Sequence, residues 1–168
     1  MKYQLITLLL AVITLGLVFV VAPTSFLTYF SFGNISATVV PVPAIGIIPA
    51  ADETWLQLGI NFAVIISFVT FVFIYLQLIR GKKVPKESLR FFYWVVVFAL
   101  MNSFTEEMIT RLSVVSLLDG IMPLPFVYLV SAVIFGTVHY FGTPGKIPGV
   151  LLAGFLGWFL AKSIGETQ

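Results

Sequence analysis

Long apolar segments constrain this chain more than any other feature. Five such segments occur, at residues 3–21, 55–79, 91–118, 125–141 and 150–160. An α-helix needs about 20 mainly apolar residues to cross the hydrocarbon of a bilayer. Only 10% of the residues are charged, against roughly 25% in a soluble domain. We therefore predict an all-α fold, a polytopic α-helical membrane bundle with about five transmembrane helices.

Basic residues are distributed unevenly between the connections. The 80–90 connection contains Arg80, Lys82, Lys83, Lys86 and Arg90. The 22–54 connection contains no Lys or Arg, but it has Asp52 and Glu53. Cytoplasmic loops carry the excess of basic residues, so we predict a cytoplasmic N-terminus, an external 22–54 loop and an internal 80–90 loop. Lys162 is a minor exception, because this topology puts it near the outer end of the last segment.

The N-terminal part raises two further questions. The 22–54 stretch is apolar, but prolines and glycines interrupt it, and helix interiors reject proline. We read it as an interfacial or partly re-entrant external loop. Segment 3–21 has the position of a signal peptide, yet its apolar run is longer than the usual signal core, which favours an uncleaved anchor.

Three charged residues lie near the middle of the third segment. Glu106, Glu107 and Arg111 would each cost about 2.5–3.5 kcal/mol to insert at the centre of a bilayer. Glu107 and Arg111 are four residues apart and can neutralise each other on one helix face. Glu106 is rotated by about 100° from Glu107. It is left to face a cavity, another helix or a proton relay.

The only histidine, His139, lies in the fourth segment. A lone histidine in an apolar helix is usually a packing or interfacial residue. Phe135 lies one turn earlier on the same face, and Gly136 would let another helix approach closely. Glu106 and His139 both lie roughly 20 Å from the turn that joins their helices. The spacing therefore predicts equal depth on adjacent antiparallel helices, nearer the cytoplasmic face.

Several chemistries remain open for a carboxylate and an imidazole at equal depth. The pair can activate water, bind a metal or pass protons. The chain has no cysteine, which excludes disulfides and thiolate sites. A single histidine excludes a three-histidine metal site within this chain. The net charge of +2 is too small to indicate nucleic-acid binding.

Two motifs in this order resemble those of a known family. Residues 106–111 fit EExxxR and residues 135–139 fit FxxxH, on consecutive membrane helices. Residues 88–168 resemble the CPBP family of intramembrane proteases, which includes the CAAX endopeptidases and the bacterial Abi proteins. The resemblance implies peptide-bond hydrolysis in which Glu106 activates water and His139 holds that water or stabilises the oxyanion. Phe135, Glu107 and Arg111 would be supporting residues.

The resemblance also bears on organisation, cofactors and partners. It divides the chain into an N-terminal membrane hairpin with its external loop, 1–87, and a catalytic-core segment, 88–168. The family is called a metalloprotease family by name, so one possibility is a divalent metal such as zinc with Glu106 and His139 as candidate ligands. A metal-free mechanism also stays open. The expected partners are membrane lipid and a peptide or prenylated-peptide substrate. The expected location is the bacterial cell membrane, which the chain would cross several times.

One departure from the family pattern is important. The family has a third motif, a histidine followed four residues later by asparagine or a similar residue, on a later helix. This chain has no second histidine before Gln168. We expect either a truncated chain, which we favour, or a degenerate member, and in both cases a poor or inactive protease.

Two other functions compete with the protease interpretation. One is an inactive membrane partner or bacteriocin-immunity protein on the same scaffold. The other is a proton-coupled transporter component, although the sequence shows no inverted repeat of the kind that many transporters contain.

Overall fold

The computed structural model describes residues 2–76, 80, 90–142 and 145–168. In this part of the chain the α-helices are α1 (Lys2–Val21), α2 (Pro23–Tyr29), α3 (Trp55–Ile74), α4 (Phe92–Glu106), α5 (Ser113–Leu118), α6 (Leu124–Val138) and α7 (Lys146–Thr167). A π-helical segment, Glu107–Leu112, joins α4 to α5, and short 3₁₀ helices occur at Pro43–Ile45 and His139–Phe141. The α-helical bundle predicted from the sequence is confirmed.

Four of the described helices are long and apolar enough to cross a membrane. They span Lys2–Val21, Trp55–Val72, Leu124–Phe141 and Lys146–Thr167. The chain is therefore an integral membrane protein. The third apolar segment is not one of these four, because its helical geometry changes at Glu107 and divides it into α4, the π-helical segment and α5.

The last apolar segment is longer than predicted. We expected a short helix over 150–160, whereas α7 runs from Lys146 to Thr167. Its charged end continues the helix because the buried Lys162 ammonium pairs with Glu166 one turn later. At the other end, Pro148 lies in the first turn, where a missing N–H breaks no intrahelical bond.

The predicted external loop contains a helix of its own. Pro23 begins α2 directly after α1, and its fixed φ suits the first turn of a helix. Of the residues predicted to lie in the internal basic loop, Lys82, Lys83 and Lys86 fall outside the described residues, as do residues 77–79 of the second apolar segment.

The described chain forms two compact units, with a boundary inside α4. One comprises residues 1–34 with 98–168, and the other residues 35–97. In the second unit, Thr54 caps α3 through a reciprocal pair of hydrogen bonds with Gln57. Most apolar side chains of α3 are exposed on the protein surface, which suits a helix that faces lipid.

In the first unit, α1 packs against the π-helical segment. Ala11 and Val18 of α1 are buried together with Met108 and Leu112. The N-terminal helix is thus part of the core of the unit that contains both motifs.

Glycines set the contact between α6 and α7. A methyl group at Gly136 would lie 2.6 Å from the carbonyl oxygen of Val150 and 3.1 Å from the Cα of Gly154. A methyl group at Gly157 would lie 2.8 Å from the Cβ of Phe135. Small residues allow membrane helices to approach this closely, as we expected for Gly136. The contact fixes the backbone that carries Phe135 and His139.

We predict that Gly136→Ala destabilises the protein by roughly 1–3 kcal/mol, because the added methyl group overpacks the α6–α7 contact. Gly16→Ala is the matched control, since a methyl group there meets nothing within 4 Å. Its effect should stay within about 1 kcal/mol. Unfolding in mixed micelles by titration with SDS measures both. Equal free energies of unfolding for the two variants would contradict the packing argument.

Candidate active site

The π-helical segment carries the first motif. A π turn is rare and often occurs at functional sites. Here it begins directly after Glu106, and two hydroxyl groups satisfy carbonyls along it. The Thr110 hydroxyl donates to the Glu106 carbonyl at 2.5 Å, and the Ser113 hydroxyl donates to the Ile109 carbonyl. These bonds satisfy carbonyl groups that the π turn leaves without their usual helical partners.

Glu106 and His139 meet in the folded protein. The His139 Nε2 lies 3.9 Å from the Glu106 Oε2, and the side chains are 29% and 33% exposed. His139 follows α6 in a 3₁₀ turn, and its Nδ1 lies 2.8 Å from the Phe135 carbonyl oxygen. In the neutral ring this bond puts the proton on Nδ1 and leaves the Nε2 lone pair facing Glu106.

Asn102 completes the surroundings of the Glu106 carboxylate. Its Nδ2 donates to the Glu106 Oε1 at 2.7 Å, so the other oxygen, Oε2, is the one that faces His139. We did not select Asn102 from the sequence. Its position four residues before Glu106, on the same helix face, is the signal that would have found it.

Glu106 and His139 share a cavity of about 400 Å³. Its lining residues come from α1, α4, the π-helical segment, the end of α6 and the 3₁₀ turn that follows it: Tyr3, Thr7, Asn102, Thr105, Glu106, Ile109, Thr110, Val138, His139, Phe141 and Gly142. Thr105 is 6% exposed, and its hydroxyl has no hydrogen-bond partner among the described residues. The cavity thus holds one carboxylate and one imidazole, and an unpartnered hydroxyl group is buried in its wall.

Glu107 and Arg111 form the ion pair that their spacing indicates. The Arg111 Nη1 contacts the Glu107 Oε2, and the arginine side chain is only 3% exposed. The guanidinium carbon lies 5.3 Å from the centroid of the Phe135 ring, within range of a cation–π interaction. The Phe135 ring in turn lies 4.7 Å from the His139 ring, centroid to centroid.

Tyr29 also belongs to this cluster, although no sequence pattern singles it out. Its hydroxyl, on α2, donates to the Glu107 Oε1. Burial, followed by the nearby Glu107 carboxylate, raises the pKa of the Tyr29 phenol, so the phenol keeps its proton and acts as a donor. Seventy-eight residues separate the two partners, and no periodicity connects them.

The described residues do not make a complete metal site. A catalytic zinc ion usually has three protein ligands. Glu106 and His139 supply two, and the described residues contain no group of three His, Cys, Asp or Glu side chains close enough to hold a metal ion.

Comparison with known proteins places the site in a family context. Residues 88–167, just under half of the chain, match the family model described as type II CAAX prenyl endopeptidase Rce1-like. Both motifs lie inside the matched region, and the match supports the resemblance to the CPBP and CAAX proteases. No curated protein and no solved structure gives a significant match to the chain.

We predict that Glu107→Gln destabilises the protein, because it leaves the buried Arg111 charge without its counter-ion. The loss should lie near the lower end of the about 3–5 kcal/mol typical of a broken buried pair, since Glu107 is 32% exposed. Glu107→Gln combined with Arg111→Met should lose less than the sum of the two single losses. Free energies of unfolding in mixed micelles test this, and additive losses would refute the pairing.

Proposed function

We propose that this protein is an intramembrane endopeptidase of the CPBP type, which hydrolyses peptide bonds with a water molecule activated by Glu106. The observation that carries the proposal is the approach of Glu106 and His139 across a shared cavity. Its support is the match of residues 88–167 to a family of prenyl endopeptidases. We place the protein as a multi-pass protein of a bacterial cell membrane, with its N-terminus in the cytoplasm.

The distance between the two side chains favours a bridging water molecule. Two hydrogen-bond acceptors face each other at 3.9 Å, which exceeds a direct hydrogen bond but suits one shared donor. A water molecule can donate one hydrogen to the Glu106 Oε2 and the other to the His139 Nε2. The Asn102 amide holds the opposite oxygen of Glu106, so the base faces the bound water.

Hydrolysis can then proceed with one carboxyl group. Glu106 takes a proton from the water while the water oxygen attacks the carbonyl carbon of the substrate. Thr105 lines the same cavity, and its hydroxyl group has no hydrogen-bond partner among the described residues. In the proposed mechanism this hydroxyl turns toward the substrate and donates to the resulting oxyanion. Glu106 then gives its proton to the leaving nitrogen as the C–N bond breaks. The immediate products are a carboxylic acid and an amine, and the acid then gives its proton to the amine or to water.

The proposed substrate is a peptide, with or without a prenyl group, that reaches the cavity from the membrane. The cavity wall offers apolar surface from Ile109, Val138 and Phe141 beside the polar groups. Such a lining suits a mostly apolar segment with one polar bond to be cut.

A second candidate is an inactive partner-binding or immunity protein on the same scaffold. The observation that favours it is that, among the described residues, His139 is the only imidazole on the cavity wall beside Glu106. The variant Glu106→Gln distinguishes the two proposals. It should abolish the biological effect if that effect needs peptide cleavage, and it should preserve the effect if only binding is needed.

We predict that Glu106→Gln lowers kcat for peptide cleavage by about 10²–10⁴-fold, the usual contribution of a general base. His139→Ala should cause a loss of similar size. Glu53→Gln, in the 22–54 connection, is the control and should cleave like the wild type. The assay uses purified protein in liposomes with a membrane-embedded peptide, for the 168-residue chain and any longer product of its gene. Undiminished cleavage by both site variants would refute the proposal.

We also predict that Thr105→Val lowers kcat by about 100-fold with little change in KM, because it removes a donor to the oxyanion. Thr137→Val is the matched control, since the Thr137 hydroxyl bonds the Val133 carbonyl of its own helix. The same assay separates kcat from KM. If Thr105→Val raises KM and leaves kcat unchanged, Thr105 does not take part in the proposed mechanism.

A further inference from the structure

Tyr29 lies outside the region matched by the family model, yet it contacts a charged residue of the first motif. We propose that Tyr29 is a positioning residue: through Glu107, Arg111 and Phe135 it fixes the orientation of the His139 ring. The catalytic meaning of this role depends on the proposed function, whereas the contacts themselves do not.

The first step of the argument is the double engagement of Glu107. Tyr29 occupies its Oε1 and Arg111 occupies its Oε2. A carboxylate held at both oxygens has no freedom to turn toward the neighbouring Glu106. Without the phenol, one oxygen would lose its donor and the carboxylate could rotate about its side-chain bonds.

The second step connects this carboxylate to the imidazole. Arg111 lies against Phe135, and the Phe135 ring packs against His139. The His139 Nδ1 also bonds the Phe135 carbonyl. The imidazole is therefore supported on one side by an aromatic ring whose other neighbour is the guanidinium. A shift of Arg111 changes that support directly.

The third step is that contacts with the rest of its compact unit hold α2 in place. The Ser25 hydroxyl donates to the Asp119 Oδ2 at 2.6 Å, and the Gln168 Nε2 donates to the Thr28 carbonyl at 2.6 Å. Phe26 packs against the core cluster formed by α1 and the π-helical segment. Each attachment joins α2 to an element of the same compact unit, so the Tyr29 hydroxyl has a defined position.

The single histidine of the chain makes a direct test practical. With ¹⁵N-labelled histidine and no histidine tag, the NMR signals of the two ring nitrogens report on His139 alone. At fixed pH and with a chelator present, Tyr29→Phe should shift these signals or split them into more than one conformer. Tyr93→Phe, an exposed tyrosine of α4, is the matched control and should leave them at the wild-type positions.

A double variant shows whether Tyr29 acts through Glu107. Glu107→Ala, which removes the acceptor of the Tyr29 hydroxyl, should perturb the ring signals, and Tyr29→Phe added to it should cause little further shift. Ring signals unchanged in Tyr29→Phe, or a full additional shift in the double variant, would overturn the positioning role. A lower melting temperature with unchanged ring signals would also overturn it. The readout needs no peptidase activity, so its failure is distinct from a failure of the proposed function.

Discussion

A guanidinium group buried in a membrane protein needs compensation from its surroundings, and the rest of the candidate site depends on how Arg111 obtains it. Arg111 is 3% exposed and has two kinds of partner. Glu107 supplies the opposite charge, and the Phe135 ring supplies a polarisable face. Because these partners belong to different helices, neutralising one charge also fixes the separation of the two motifs. Breaking this arrangement would disturb the site even at residues that never touch a substrate.

The two adjacent glutamates therefore have different surroundings. Glu107 is engaged by Tyr29 and Arg111, whereas Glu106 contacts Asn102 and faces His139 across the cavity. Rotation along a helix separates neighbouring side chains by about 100°, and the π turn begins between these two residues. A structural carboxylate and a chemically available carboxylate can thus stand side by side in the chain. We propose that this division is the reason for the paired glutamates.

Much of this could be predicted from the sequence, since hydropathy and helical spacing are strong local signals. Hydropathy and spacing predicted the all-α membrane bundle, the pairing of Glu107 with Arg111 and the equal depth of Glu106 and His139. These signals underestimated the length of α7. The charged residues at its end lower the local hydropathy, although Lys162 and Glu166 pair with each other within the helix. Hydropathy and spacing also missed the π turn, whose cost and benefit depend on packing against α1.

The contribution of Tyr29 could not be predicted for a different reason. It arises from a tertiary contact of the short helix α2, which lies in the 22–54 stretch that we predicted to be a loop. Proline and glycine mark where a long helix must stop, but they do not say where the chain goes next. Only the folded unit brings α2 against the π-helical segment.

The division between the two glutamates is the central claim, and thiol cross-linking tests it most directly because the chain contains no cysteine. Cysteines placed at positions 106 and 139 should be joined in the membrane by the shortest bifunctional thiosulfonate reagents. Cysteines at positions 107 and 139 should react far less, since the side chain at 107 faces Tyr29 and Arg111. Equal cross-linking of the two pairs, or preferential cross-linking of 107 with 139, would contradict the account.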